Sequence, residues 1–290
     1  MRISDLLIEL GLSSEDSIKL FRIGTRDRAD MRVFRCEKSK VIFIGSDEHI
    51  AESYYQKISD LAYWGAVTRL DAAKKTLRDD RRRAQAIRPL VENRRWLDIG
   101  TGNGGILDLL APACAEVAAV EPQPGPRQAL RNDGYLVHAD IEDVPAGSFD
   151  VITLFHVYEH VTDPIGFLRA VKKRLAPGGR VCIEVPHARD FLIDFLACES
   201  FIAFTLWSEH LILHSRQSLA RFVAAAGFER CTISGIQRYP LANHLHWLVE
   251  GKPAGETHWP QLSTPEINLA YERLLSSLDY TDTLIAWAET

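Results

Sequence analysis

Short apolar runs alternate with helical patterns through the middle of the chain, from about residue 95 to residue 185. The runs are rich in β-branched or aromatic residues, and each is bounded by glycine, proline or an acidic residue. Alternation of this kind is typical of βαβ units and predicts a parallel sheet. The strand candidates are Arg95–Ile99, Glu116–Val120, Tyr135–Ala139, Phe149–Phe155 and Arg180–Val185. The clearest helix, Ile165–Leu175, is predicted to end at Pro177-Gly178-Gly179, because proline cannot continue it and glycine accepts the left-handed cap.

The flanking stretches have a different character. The first 88 residues begin with a helical pattern (Ile3, Leu6, Leu7, Leu10), followed by a predicted hairpin of Met31–Arg35 and Lys40–Ile44 and then by further helices. After residue 190 we predict an aromatic-rich segment, a helix, two antiparallel strands and a closing helix, at Phe191–His214, Gln217–Ala226, Glu229–Arg238, His244–Glu250 and Pro265–Glu289. We therefore divide the chain into an N-terminal extension (1–88), a central domain (89–252) with a lid insert at about 190–215, and a C-terminal helical tail (253–290).

Composition narrows the class of protein. The formal net charge of -5 leaves no basic footprint, so nucleic acid is not a predicted partner. The arginine run Arg78–Arg83 is predicted to be a solvated helix face. Asp5 and Glu9 interrupt the apolar stretch that a signal peptide would need, so none is predicted. No apolar run approaches the ~18 residues of a membrane-spanning helix. The five scattered cysteines favour reduced thiols in the cytoplasm over a disulfide framework.

A glycine-rich turn, Gly100-Thr101-Gly102-Asn103-Gly104, follows the first strand of the middle stretch. Glycines let the backbone turn tightly and let a ligand approach it closely. Glu121, about 20 residues downstream at the tip of the second strand, could accept both hydroxyl protons of a ribose. Since the turn also satisfies G-x-G-x-x-G, it fits a dinucleotide-dependent oxidoreductase equally well.

Three further features separate these two alternatives. Asp98, two residues before the first glycine, suits a cationic ligand better than a pyrophosphate. Asp140 and Ile141 end the third strand, where they can offer a carboxylate and an apolar contact to an adenine. The third feature is a pair of segments around the last two strands. Phe155–Pro164, which contains Glu159-His160, follows the fourth strand, and Leu175–Arg180, which contains Pro177-Gly178-Gly179, precedes the fifth. Taken in order, these motifs resemble the class I S-adenosylmethionine-dependent methyltransferases over about 90 residues, Trp96 to Val185.

The resemblance implies a fold and a set of roles. The fold is α/β, a doubly wound Rossmann-like and mostly parallel seven-stranded sheet with an antiparallel C-terminal edge, an N-terminal α/β extension and a lid insert after strand five. Asp98, Gly100, Thr101 and Gly102 would hold the methionine half of S-adenosylmethionine, and Glu121 would hold its ribose. The residues implied at the adenine and near the methyl group are Asp140, Ile141, Phe155 and His156.

Weaker resemblances concern the flanks. Cys36 to Ser39 is similar to a zinc-binding head of some bacterial sugar and polyketide methyltransferases, but Ser39 replaces the second cysteine of that pattern. Because four-coordinate zinc needs four donors, we predict no metal. In the C-terminal half, motifs such as Ile183–His187 and Glu209–Leu211 are similar to methyltransferases linked to lipopolysaccharide, capsule or other glycan synthesis.

Methyl transfer depends mainly on positioning, and a base is needed only for a hydroxyl or carbon acid. His210 is the first candidate base, because it lies in the predicted lid beside Glu209, and His160 is the second. The other candidates are His156, His187 and His214. Tyr54, Tyr55 and Trp64 could fold over the cofactor or pack an amphipathic helix.

The predicted function is methyl transfer from S-adenosylmethionine to oxygen or nitrogen of a small polar acceptor, a sugar nucleotide or glycan intermediate. The alternatives are an NAD-dependent oxidoreductase and a non-catalytic binding protein that keeps the fold. The predicted partners are the small-molecule or glycan acceptor and, as one assembly that the sequence allows, a second copy in a homodimer.

Overall fold

The structure is a computed structural model that describes residues 2–50 and 65–290. Its strands are β1 (Ile18–Ile23), β2 (Arg32–Cys36), β3 (Ile42–Ile44), β4 (Arg95–Ile99), β5 (Glu116–Val120), β6 (Val137–His138), β7 (Phe149–Phe155), β8 (Leu175–Pro186), β9 (Ile212–Leu213), β10 (Arg230–Ile236) and β11 (Thr283–Glu289). Its α-helices are α1 (Ile3–Glu9), α2 (Arg69–Val91), α3 (Gly105–Leu110), α4 (Pro124–Asn132), α5 (Pro164–Arg174), α6 (Glu199–Thr205), α7 (Arg216–Ala225), α8 (Leu241–Glu250), α9 (Gly255–His258) and α10 (Pro265–Ser277).

Seven strands form the main sheet, in the order β10-β11-β8-β7-β4-β5-β6. Strands β4 to β8 pair in parallel, whereas β11 runs antiparallel to both of its neighbours, β8 and β10. The predicted doubly wound, mostly parallel seven-stranded fold is therefore confirmed. The antiparallel strand lies one position inside the edge, which is formed by β10.

Helices cover both faces of this sheet. Along β4 the side chains alternate, so that Trp96 packs on the side of α2, α3 and α4, while Leu97 packs on the side of α5 and α7. Both residues are fully buried. With the two faces covered, the carboxyl ends of the parallel strands are the place where a ligand can meet the sheet.

A second, four-stranded sheet has the order β1-β2-β3-β9. Strands β2 and β3 confirm the predicted hairpin, but β1 and β9 were not predicted as strands. Strand β9 comes from the predicted lid and pairs Leu213 with Ile42 and Ile212 with Phe43. The N-terminal extension and the lid insert thus share one sheet, although about 170 residues separate them.

The prediction of a strand at His244–Glu250 was wrong, because these residues belong to helix α8. Pro240 and Gly251 explain the difference. Proline is favoured at a helix start, and Gly251 adopts φ 66°, the left-handed conformation that ends a helix. Trp247, inside the helix, is buried.

The prediction of a helix from Pro265 to Glu289 was wrong over about its second half. Helix α10 ends at Ser277, and Asp279 then takes φ 57°, after which Thr283–Glu289 forms β11 between β8 and β10. The boundaries of the three predicted parts of the chain stay predictions, but the last part contributes a strand to the main sheet.

Candidate active site

The glycine-rich turn lies between β4 and α3, at the carboxyl end of the parallel strands. Gly100, Gly102 and Gly104 have φ angles of 71°, 56° and 74°, in the left-handed region that favours glycine. A Cβ atom at Gly100 would overlap the side chain of Val157, and one at Gly104 would overlap Leu130. The turn therefore requires glycine for its backbone conformation and for its close packing.

Two carboxyl groups are buried beside this turn. Asp98 is 2% exposed and accepts a hydrogen bond of 2.5 Å from the Thr153 hydroxyl. Glu121 is 3% exposed and accepts the N–H groups of Gly102 at 2.7 Å and Gln123 at 2.8 Å. Burial raises the pKa of Asp98 to about 6 and that of Glu121 to about 7. Carboxyl groups that are perturbed in this way by burial are typical of ligand sites.

Other polar groups surround the same turn. The side-chain oxygen of Gln123 is buried and has no hydrogen-bond partner within the described ranges 2–50 and 65–290. The buried Thr101 hydroxyl acts on Asp98, where it lowers the pKa of that carboxyl against the larger effect of burial. Asp140 accepts the N–H of Glu142 at 2.9 Å and caps a short turn that begins with the buried Ile141. A polar ligand beside the turn would find an unpaired acceptor on Gln123 and an apolar surface at Ile141.

The ends of β7 and β8 carry a network of charges. Glu184, fully buried in β8, accepts hydrogen bonds from Arg82 at 2.8 and 2.9 Å and from Arg83 at 2.6 and 2.9 Å. Burial opposes ionisation of Glu184, but the arginine charges and His156 keep its pKa well below its usual range. The prediction that the arginine run is a solvated face was therefore wrong for Arg82 and Arg83, whereas Arg81 is exposed.

His156 connects this network to the loop after β7. Its backbone takes φ 55°, and its Nδ1 lies 3.0 Å from Glu159 Oε1. Its Nε2 lies 2.8 Å from Nη1 of Arg238, which forms an ion pair with Asp79. Nε2 also lies 3.4 Å from Oε1 of Glu184. His156 is therefore held in one orientation, between two carboxylates and Arg238.

The comparisons with known proteins identify the family. A family model described as a methyltransferase domain matches residues 70–232, more than half of the chain. The chain belongs to the class I S-adenosylmethionine-dependent methyltransferases. The matched residues contain the glycine-rich turn, both buried carboxyl groups and His156.

Curated relatives of this methyltransferase include two ubiquinone biosynthesis O-methyltransferases. The protein from Ralstonia nicotianae is 31% identical over 174 residues, which cover 54% of this chain and 71% of the relative. The protein from Aromatoleum aromaticum is 30% identical over 186 residues, which cover 57% and 80%. These names do not single out the glycan-linked methyltransferases of the sequence analysis, and no zinc-binding head is indicated.

Solved structures agree on the fold. An S-adenosylmethionine-dependent methyltransferase from Archaeoglobus fulgidus has a TM-score of 0.51 at 16% identity, covering 84% of this chain and all of that one. A second one, from Thermotoga maritima, has a TM-score of 0.50 at 18% identity, covering 76% and 94%. At these identities the likeness shows the fold alone.

The methyltransferase takes its methyl group from S-adenosylmethionine, and the residues around the turn suit this cofactor. Two carboxyl groups, Asp98 and Glu121, are buried beside the turn, and the side-chain oxygen of Gln123 has no partner within the described residues; such groups suit a ligand with a cationic end and ribose hydroxyls. Phe155, at the end of β7, is partly buried. The guanidinium carbon of Arg83 lies over the Phe155 ring, 4.8 Å from the ring centroid. The role of each residue stays a proposal.

The five histidines considered as candidate bases differ in their burial and in their neighbours. His187 and His214 are buried at 1% and 0% exposure, and burial lowers their pKa values to about 4 and about 3. His214 stacks on the ring of Tyr158, as expected for a residue of the core. His160 and His210, the two preferred candidates, lie together, with ring centroids 5.0 Å apart.

Sequence reasoning missed several residues of the charge network, above all Glu184, Arg238 and Glu159. One signal was present. Glu184 is a charged residue within the otherwise apolar run Val181–Val185, and a buried charge in a sheet requires a cationic partner. Arg82 and Arg83 were the available cations, but 101 residues separate Glu184 from Arg83 in the sequence.

Tyr54, Tyr55, Tyr63 and Trp64 lie outside the described residues, so the predicted helix through them and the role over the cofactor stay predictions. Among the residues that the structure does describe, no helix is both long and apolar enough to cross a bilayer.

Proposed function

We propose that this methyltransferase methylates a hydroxyl oxygen on a small acceptor, and that an aromatic hydroxyl is the preferred acceptor. One observation carries the choice of oxygen. The loop after β7 and the predicted lid bring Glu159, His160 and His210 together, and β7 is the neighbour of β4, the strand that leads into the glycine turn. A hydroxyl acceptor needs such a cluster to take its proton, while a neutral amine acceptor does not.

The relatives support the aromatic acceptor, since both are named ubiquinone biosynthesis O-methyltransferases. The sugar or glycan acceptor of the sequence analysis is the competing proposal. Assembly as a homodimer also stays a proposal.

In the proposed reaction, the chain mainly orients the reactants. The carboxylate of Asp98 would bind the ammonium of the methionine half, and Glu121 would bind the ribose hydroxyls. The methyl group would then face the loop that holds His156 and Glu159. Methyl transfer from a sulfonium is an in-line displacement, so this alignment supplies most of the acceleration.

The first candidate base, His210, has a specific limitation. Burial lowers the pKa of His210 to about 3, so the ring is neutral at pH 7 but accepts a proton weakly. We therefore propose that His210 acts with its neighbours His160 and Glu159 and not alone.

The test measures methyl transfer from labelled S-adenosylmethionine to a panel of catechols, simple phenols and sugar nucleotides. We expect turnover with a catechol or phenol at least tenfold above that with any sugar nucleotide. Preference for a sugar nucleotide would replace the aromatic acceptor with the glycan one. Labelling of amines alone would refute oxygen methylation.

Two variants test the cofactor half by calorimetric titration with S-adenosylmethionine and with NAD. Asp98→Ala and Gly102→Val are expected to lose cofactor binding while they stay folded. Gly134→Val is the matched control for Gly102→Val, because Gly134 also has a positive φ, 91°, and a Cβ there meets nothing within 4 Å. Wild-type affinity in both site variants would contradict the proposed placement.

A further inference from the structure

The three side chains Glu159, His160 and His210 form a compact group of potential metal ligands. Each offers one ligand atom, and these atoms lie within 4.8 Å of one another. Glu159 and His160 belong to one short turn after β7, and His210 comes from the segment before β9. We propose that this group binds one divalent transition-metal ion, with Zn²⁺ as the probe.

The second observation that supports a metal site is a pair of buried polar atoms without hydrogen-bond partners. Glu159 is fully buried, and its Oε2 has no hydrogen-bond partner in the described part of the chain. Nδ1 of His210 is also buried and without such a partner there. A buried polar atom without a partner is costly to a fold, and most such atoms are satisfied in native proteins. One ion bound between these two atoms would satisfy both.

The surroundings hold the group in place. Leu211 donates its N–H to the Glu159 carbonyl at 2.8 Å, which ties the segment of His210 to the turn after β7. Ser208, two residues before His210, donates its N–H to Asp27 at 3.0 Å and its hydroxyl to the same carboxylate at 2.5 Å. The ligands are thus fixed by backbone and side-chain contacts on both sides, as a preformed metal site requires.

His156 gives Glu159 the support that metal-binding carboxylates usually have. Its Nδ1 lies 3.0 Å from Glu159 Oε1, so Oε2 is the oxygen left for an ion. Hydrogen bonds to ligating groups orient them and tune the metal. The neighbouring cation Arg238 is neutralised by its ion pair with Asp79.

The ligand set selects the class of ion. Two imidazoles and one carboxylate suit Zn²⁺ and other first-row divalent ions, whereas Mg²⁺ and Ca²⁺ prefer oxygen ligands throughout. The hairpin at Cys36, the one zinc motif considered in the sequence, takes no part. Three protein ligands also leave a fourth position of a tetrahedral ion open. With the ion bound, the three side chains would act as ligands in place of a base. An acceptor hydroxyl at the open position would then release its proton to solvent more readily, a consequence that rests on the proposed function.

The experiment measures metal binding directly. The full chain is stripped with a chelator, the chelator is removed, and Zn²⁺ is titrated by calorimetry with Mg²⁺ as the comparison ion. We expect one Zn²⁺ per chain with a micromolar or lower dissociation constant, at least 100-fold tighter than Mg²⁺. Co²⁺ should give a visible absorption spectrum typical of a site with nitrogen and oxygen ligands. No Zn²⁺ binding at 100 µM, roughly 100 times a micromolar constant, would overturn the proposal.

Alanine variants of the two histidines identify the residues that bind Zn²⁺. His160→Ala and His210→Ala should each weaken Zn²⁺ at least tenfold and change the Co²⁺ spectrum. His138→Ala, a partly buried histidine on β6, is the matched control and should bind as the wild type does. If His210→Ala does not fold, His160→Ala decides, and unchanged affinity there would refute the site. A wild-type protein that transfers methyl groups but binds no Zn²⁺ would refute only the metal site, and one that binds Zn²⁺ but transfers no methyl group would refute only the proposed function.

Discussion

The two halves of the candidate active site are built differently. The proposed cofactor half consists of a strand, a glycine turn and an acidic strand end, all within residues 95–141. The proposed acceptor half combines Arg82 and Arg83 from α2, Glu184 from β8, His210 from the predicted lid and Arg238 after β10. The first half depends on backbone conformation and on two buried carboxyl groups whose pKa values are raised, and the second on charges that only folding brings together.

This comparison predicts that the halves fail in opposite ways when they are mutated. Substitutions in the acceptor half should mainly lower the free energy of unfolding. Substitutions in the cofactor half should mainly lower the affinity for S-adenosylmethionine. The following predictions run from the largest expected effect to the smallest.

Glu184→Ala should give the largest loss of stability. It removes the buried carboxylate that the partly buried Arg82 and Arg83 share, and breaking a buried ion pair typically costs about 3–5 kcal/mol. Urea unfolding followed by circular dichroism measures this loss. Asp150→Asn is the control, since its ion pair with Arg95 is more exposed and should shift the midpoint far less. Equal shifts in the two variants would show that the charge network does not stabilise the fold.

Asp98→Asn should weaken S-adenosylmethionine binding about tenfold or more, because a charge-assisted bond is worth about 1.5–3 kcal/mol, yet it should stabilise the protein. The pKa of Asp98 is raised from 3.8 to about 6 in the fold, so the folded state holds a proton more tightly than the unfolded state. Stability of the wild type therefore falls as pH rises from about 4 to about 6, with ~1.4 kcal/mol for each unit of pKa difference.

The asparagine variant should lack this fall, so its advantage should grow over that range and level off above pH 7. Thermal unfolding between pH 4.5 and 8 measures it. Wild-type affinity for the cofactor should also decline below about pH 6, as Asp98 is protonated. A variant that is less stable than the wild type at pH 8 would contradict the assigned pKa.

Arg81→Ala should have the smallest effect, within about 0.5 kcal/mol, as expected for an exposed residue. Arg83→Ala, two positions further along the helix, should lower stability much more, because Arg83 binds the buried Glu184. Unfolding midpoints of the two variants, compared in the same buffer, divide the arginine run into a solvated and a buried part. Indistinguishable midpoints would restore the prediction of a solvated face.

Much of the fold could be predicted because its signals are local. Strands β4, β5 and β7 have the predicted bounds, since each apolar run and the residues that end it lie within a few positions. His244–Glu250 could not be assigned in this way, because its short apolar run fits a strand and a helix alike. Thr283–Glu289 was also misassigned, since its strand depends on pairing with β8, about 100 residues earlier.

The sequence by itself determined the class of enzyme, its cofactor and the strand–turn–helix that receives it. The glycines and Glu121 alone fit two kinds of cofactor, and the resemblance of the whole ordered set of motifs from Trp96 to Val185 separates them. Each of these motifs lies within a few positions of the chain, so reading them needs no distant contact. Only the tertiary structure decided which arginines reach Glu184 and which histidines meet Glu159. Charges and metal ligands act over a few ångströms in space, and the folding of the predicted lid onto the loop after β7 brings residues 159 and 210 to that distance.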